Sequence, residues 1–266
     1  MLRGLLSGGS AQDLIPEIIR LLYMIPAVLI SLTLHEVSHG YMALRCGDPT
    51  AQMAGRLSLN PLRHLNLYGT LCMLLLGIGW ANPVPVNPRN YRHYRRDDIL
   101  VSSAGILMNL FLFILATFFS VVCVRLMFTD QYLERLAEDG ARTLLQASLY
   151  NGDGLADYME SWTGYGLLNH AWLQYVLRFL GIFASVNVSL AVFNFLPVPP
   201  LDGYHLFNDI LFRGRLRMTP QVLRIAAAAL LIVNLLTNWI GYLIFYVSRG
   251  LQGALLWVLL PLFGMA

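Results

Sequence analysis

The chain has 266 residues, of which 57% are hydrophobic and 12% charged, with a mean hydropathy of +0.59. Soluble domains carry about 25% charged residues, so this composition excludes an ordinary soluble protein and makes lipid the solvent for much of the surface. The net charge of +3 is small, and three scattered cysteines (Cys46, Cys72, Cys123) exclude a disulfide framework or a cysteine-based metal site.

Taken in chain order, the first long apolar helix is expected over about Glu17–Arg45, with Pro26 near its start or kinking it. Turn chemistry follows at Gly47-Asp48-Pro49 and Asn60-Pro61. Leu67–Trp80 is apolar but short for a full span, and it leads into Asn82-Pro83-Val84-Pro85-Val86-Asn87-Pro88, whose alternating prolines exclude a helix. Both flanks of this region carry Arg, so a re-entrant element with an extended Pro-Val-Pro-Val stretch is expected. Irregular backbone at membrane depth survives only where protein or a wet cavity covers it. A second span is expected over about Ile99–Met127, followed by an acidic loop in which Tyr132–Tyr150 reads as an amphipathic interfacial helix or one packed on the span ends. A third span covers about Leu173–Leu196 and stops at Pro197-Val198-Pro199-Pro200; a short helix over about Tyr204–Phe212 and a span over about Val222–Val247 come next. Gly250–Phe263 is too short to assign by itself.

All eighteen basic residues are Arg, clustered at Arg89, Arg92, Arg95, Arg96 and again at Arg213, Arg215, Arg217, Arg224. The 130–172 loop is acidic. Basic loops stay in the cytosol, which puts the Arg-rich connections inside and the acidic loop outside. Both clusters flank apolar spans, so no nucleic-acid partner is expected. The whole reads as one membrane domain over 1–266, with a core over about 20–212 and C-terminal spans over about 222–263. The fold class is an all-α polytopic membrane bundle with a small re-entrant extended or β segment near the active site.

Chemistry concentrates in His35-Glu36-Val37-Ser38-His39. On a helix, positions i and i+4 share a face, so both imidazoles can bind one metal while Glu36 reaches its water. The run Ile25–Leu34 before them is almost wholly apolar, so these groups sit within the membrane. One charge at mid-bilayer costs about 2.5–3.5 kcal/mol, and a metal in a wetted cavity is a reason to bear it. A polar seam between helices is the plainer alternative. A catalytic zinc needs a third protein ligand and an open position. Asp202, in Pro199-Pro200-Leu201-Asp202-Gly203, is the first candidate, with helix capping as its alternative role; His205, one turn later, competes as ligand.

His-Glu-x-x-His in the first span, together with Asn194-Phe195-Leu196-Pro197 and Leu201-Asp202-Gly203 in a later one, resembles the site-2 protease family. Ser103-Ala104-Gly105 leading to Asn109 resembles a third family feature, although Ile106 stands where a proline usually follows the glycine. The resemblance covers about Leu32–Phe212. It implies intramembrane hydrolysis of a peptide bond, one Zn2+ per chain on His35, His39 and Asp202, Glu36 as base, and Asn109 lining the cleft. It also implies that Asn82, Pro83, Val84, Pro85, Val86 and Asn194 bind substrate, the extended stretch by strand addition. The acidic loop is too short for a PDZ domain, which points to the compact branch. The implied partners are a transmembrane protein substrate and the lipid bilayer, with a homo-oligomer or a regulatory membrane partner left open. The implied location is a bacterial inner membrane, with the active site toward the cytosolic side. Two rival readings are a membrane metal transporter and a catalytically inert scaffold that binds membrane proteins. The transporter predicts repeated polar spans that the sequence lacks, and the scaffold does not need Glu36.

Overall fold

The computed structural model describes residues 11–66, 69, 82–130, 133, 169–216 and 218–265. Leu67–Trp80 and Tyr132–Tyr150 therefore fall almost wholly outside the described residues. Helix α1 (Ala11–Cys46) runs through Pro16 and Pro26. It stops at Gly47, whose φ of +107° suits a residue without Cβ. There Gly47 N–H donates to Leu44 O (3.1 Å) and Asp48 N–H to Ala43 O (2.9 Å), the paired bonds that close a Schellman terminus. The four-residue helix α2 (Thr50–Met53) follows. A single 3-10 turn, Pro61–Arg63, is capped by Asn60, and a second, Pro88–Asn90, by Asn87.

Helix α3 (Tyr94–Met127) has 34 residues. At about 1.5 Å per residue it is about 51 Å long, well beyond a hydrocarbon core of about 30 Å. Its Arg95–Asp98 end accordingly lies in a polar setting. Helix α4 (Leu173–Asn194) ends just before the proline run, and α5 (Asp202–Leu211) begins just after it. Helices α6 (Pro220–Thr237) and α7 (Trp239–Leu262) complete the described chain.

The C-terminal part differs from the sequence expectation of a span over about Val222–Val247. Asn238 adopts a left-handed conformation (φ +51°) that ends α6, and Asn234 Oδ1 accepts Ile240 N–H at 3.1 Å to start α7. Asn tolerates this conformation through local side-chain hydrogen bonding. The break moves the last crossing to Trp239–Leu262, so Gly250–Phe263 becomes the second half of a full span rather than a separate piece. Among the described residues, four helices are long and apolar enough to cross: Ile18–Cys46 of α1, α3, α4 and α7.

Packing places α3 at the centre. Ala27 of α1, Leu112, Phe113 and Ala116 of α3, and Ile182, Phe183, Ala184 and Val188 of α4 form the mid-membrane core. At one end α7 closes the bundle, with Leu256 and Leu260 against Val121, Val124, Leu173 and Leu177. At the other end Leu230 of α6 and Ile240 of α7 meet Leu196 and Leu201. Small residues let helices approach where no hydrophobic force separates helix from lipid. The outer faces remain apolar: Leu107, Phe111 and Trp257 are more than half exposed, as a lipid-facing surface requires.

Candidate metal centre

His35 and His39 lie one turn apart on α1, facing α3. His39 Nδ1 is 2.7 Å from Val101 O, and a carbonyl only accepts, so Nδ1 carries the proton and Nε2 keeps its lone pair. His35 Nδ1 is 3.2 Å from Asn109 Oδ1, which fixes the same tautomer. Two partners on α3 thus aim both Nε2 atoms the same way, as second-shell partners do for metal-binding histidines. The rings come so near α3 that a Cβ on Gly105 would stand 2.4 Å from His39 Nε2 and 2.5 Å from His35 Cε1.

Asp202 opens α5 and supplies the third atom. Its Oδ2 lies 3.2 Å from His35 Nε2 and 3.2 Å from His39 Nε2, and the two Nε2 atoms are 3.1 Å apart. With both Nδ1 positions protonated, three lone-pair atoms converge on one point. A tetrahedral ion with bonds of about 2.0–2.1 Å spaces its ligands about 3.3 Å apart, so the triangle fits a zinc-sized cation. As a ligand Asp202 would bind the cation in its anionic form. Gly203 sets the approach of α5, since a Cβ there would meet Phe195 O at 2.4 Å and Leu196 O at 2.5 Å. Among the described residues these three form the group able to hold a metal. His205 lies outside it, with its side chain 56% exposed and its Nδ1 4.0 Å from Asp98 Oδ2.

Glu36 faces away from the helix core toward the extended 82–87 segment. Val84 N–H donates to Glu36 Oε2 at 2.8 Å. The segment is strapped across α1 at three places. Asn82 N–H donates to His64 O (2.8 Å), and Arg56 Nη2 donates to Asn82 O (2.8 Å). Val84 meets Glu36. At the far end Asn87 N–H (2.6 Å) and Asn90 Nδ2 (2.8 Å) donate to the carboxylate of Asp48, which also accepts from the Thr50 backbone and hydroxyl. Asp48 is wholly buried; burial pushes its carboxyl up, but these donors outweigh that and hold it below the usual range. Val84 is buried and Val86 is 38% exposed. The strap is extended backbone with no strand pairing among the described residues.

Asn109 is fully buried, and its Nδ2 has no hydrogen-bond partner among the described residues. That leaves one amide donor beside the histidines. Asn194, the last residue of α4, is half-buried and makes no hydrogen bond to the cluster among the described residues. Sequence reading did not single out the Val101 carbonyl or the Asp48 anchor. A backbone carbonyl leaves no trace in residue type, whereas Asp48 between Gly47 and Pro49 read only as turn chemistry.

Apolar helices long enough to cross a membrane, packed around a His-His-Asp triangle with a glutamate beside it, define a membrane metalloprotease. The family model described as Peptidase family M50 matches residues 23–237, and the chain belongs to that family. Among curated relatives it is similar to "Putative zinc metalloprotease YwhC" of Bacillus subtilis, 35% identical over 198 residues, 74% of this chain and 73% of that protein. It is also similar to "Putative zinc metalloprotease Rip2" of Mycolicibacterium smegmatis, 26% identical over 233 residues, 82% of this chain and 70% of that one. No solved structure matches.

Proposed function

We propose that the chain hydrolyses a peptide bond within or beside a transmembrane segment of a membrane-protein substrate, at one zinc ion held by His35, His39 and Asp202. The observation that carries this reading is the triangle of His35 Nε2, His39 Nε2 and Asp202 Oδ2, 3.1–3.2 Å apart. Bound zinc supplies Lewis-acid activation of water and of the scissile carbonyl.

The chain's own residues supply the rest. Glu36 takes the proton of the attacking water and returns it to the leaving amine. Val84 N–H occupies one oxygen of that carboxylate, so the other takes the proton. Asn109 Nδ2, buried and without a partner among the described residues, donates to the oxygen that gains charge as the carbonyl is attacked, where a fixed donor is worth most. The Val101 carbonyl and Asn109 Oδ1 hold the two imidazoles, Gly105 leaves them room, and Gly203 seats α5 against the Phe195 and Leu196 carbonyls. The substrate must unwind to expose its carbonyl, and the strap offers it backbone at Val84–Val86. Asn82, Pro83, Pro85 and Asn194 line the approach. Burial of the site among apolar helices suits a hydrophobic substrate. The Arg-rich end carries the metal centre, which supports an active site on the cytosolic side of a bacterial inner membrane.

The experiment pairs metal content with cleavage of a model single-span substrate, for wild type and Glu36→Gln. About one zinc per chain in both, with cleavage in wild type alone, is the expected result. Zinc in both without cleavage in either leaves a mismatched substrate or an inert scaffold, which further substrates separate, and no zinc in either sinks the reading.

A further inference from the structure

Two carboxyl groups outside the metal triangle meet between α3 and α5. Asp98 is 8% exposed and Asp209 is 2% exposed. Their side chains lie close enough to interact, yet Asp209 Oδ2 is buried and receives no donor among the described residues. Arg95, one turn before Asp98, does not neutralise the pair. It donates Nε to Asp209 O (2.7 Å) and Nη2 to Ile210 O (3.1 Å), holding the last carbonyls of α5. Asp97 is taken up by His93 N–H at 2.8 Å. From α5, His205 Nδ1 stands 4.0 Å from Asp98 Oδ2 on a largely exposed ring. From the segment before α3, Tyr91 brings a buried hydroxyl without a hydrogen-bond partner among the described residues; burial raises that phenol, so it stays neutral. Asp48, on the far side of Tyr91, is satisfied by its own donors.

Two buried carboxylates in contact cannot both ionise without strong repulsion. One proton held between them instead gives a short, charge-assisted hydrogen bond. The position of that bond matters because of what its two helices carry. Asp202 begins α5, seven residues before Asp209. Val101 O, which orients His39, lies on α3 three residues after Asp98.

We propose that Asp98 and Asp209 are positioning residues, a proton-sharing pair that fastens α5 to α3 and so keeps Asp202 in register with His35 and His39. This rests on the reading of Asp202 as a metal ligand. While the pair holds its one proton the helices stay joined. As pH rises and that proton leaves, two like charges face each other, α5 shifts, and the third ligand is withdrawn.

A His-His-Asp centre otherwise binds metal more tightly as pH rises, because its imidazoles lose their protons. Loss of zinc on the alkaline side is therefore the signature to seek. The full chain in detergent is loaded with zinc and gel-filtered at steps between about pH 6 and 10, and retained zinc is measured for wild type, Asp98→Asn and Asp209→Asn. Each Asn keeps the size and a donor but has no proton to lose. Expected is an alkaline loss of zinc in wild type that moves up by at least about one pH unit in both variants, with cleavage following zinc. Variants that lose zinc at the wild-type pH, or at every pH, overturn the proposal, as does wild type that keeps zinc throughout. Wild type that binds no zinc at any pH instead overturns the metal reading itself.

Discussion

Gly105 is the residue on which the metal centre is most finely balanced. A methyl group there would enter both imidazoles, at 2.4 and 2.5 Å, and those rings are fixed from behind by Asn109 and Val101. Gly105→Ala is therefore expected to abolish zinc retention while leaving the helix content by circular dichroism unchanged, since Ala favours a helix over Gly by about 1 kcal/mol. The sequence already showed Gly105 as part of a small-residue run leading to Asn109. It did not show what the glycine touches, because the contact joins helices 66 residues apart in the chain. The His35, Glu36 and His39 cluster was legible for the opposite reason: helical spacing alone puts two imidazoles on one face. Asp202 was legible only as one of two options, and three-dimensional placement separates it from His205.

At the level of the element, the strap over 82–87 is governed by carboxylates on either side of it. Asp48 receives Asn87, Asn90 and Thr50 while fully buried. Its folded-state pKa is depressed, so its contribution is present above the ordinary Asp value of about 3.9 and is lost as pH falls through the lower folded value. Asp48→Ala is expected to lower stability by about 2–4 kcal/mol near neutrality. In thermal melts, the gap from wild type should close as the buffer is taken below about pH 4; a gap that stays constant into acid rules out this role. Val84→Pro removes the one N–H that Glu36 accepts, and Val84→Ala keeps it. Cleavage is expected to fall about 10-fold or more in the first, the cost of one charge-assisted hydrogen bond of about 1.5–3 kcal/mol, and to change little in the second, with zinc retained in both. The prolines made the extended backbone evident beforehand, but not its anchors, since capture of a backbone N–H depends on where a distant carboxylate falls.

For the whole molecule, the departure from the sequence expectation lies at Asn238. The hydropathy of 222–263 is continuous enough to suggest one span and a remnant. A single left-handed residue redivides it into α6 and a complete crossing by α7. Cysteine labelling tests this. In a background with Cys46, Cys72 and Cys123 replaced, Asn238→Cys is expected to react with an impermeant thiol reagent from the same face of a sealed vesicle as Arg215→Cys, and Arg249→Cys not to react. Reaction of Arg249→Cys from the opposite face, with Asn238→Cys shielded, would return the last crossing to Val222–Val247. With α1, α3, α4 and α7 as the crossings, the count is even. The chain leaves at Asn66 and is back at Asn82, where Asn82 N–H meets His64 O, so the intervening stretch ends on the side where it began. Among the described residues, the end of the bundle that carries the His35, His39 and Asp202 triangle is joined by 47–66 with 82–93 and by 195–238. A protein acting on the enzyme from that end would meet those stretches, one ending in the strap over Glu36 and the other carrying Asp202.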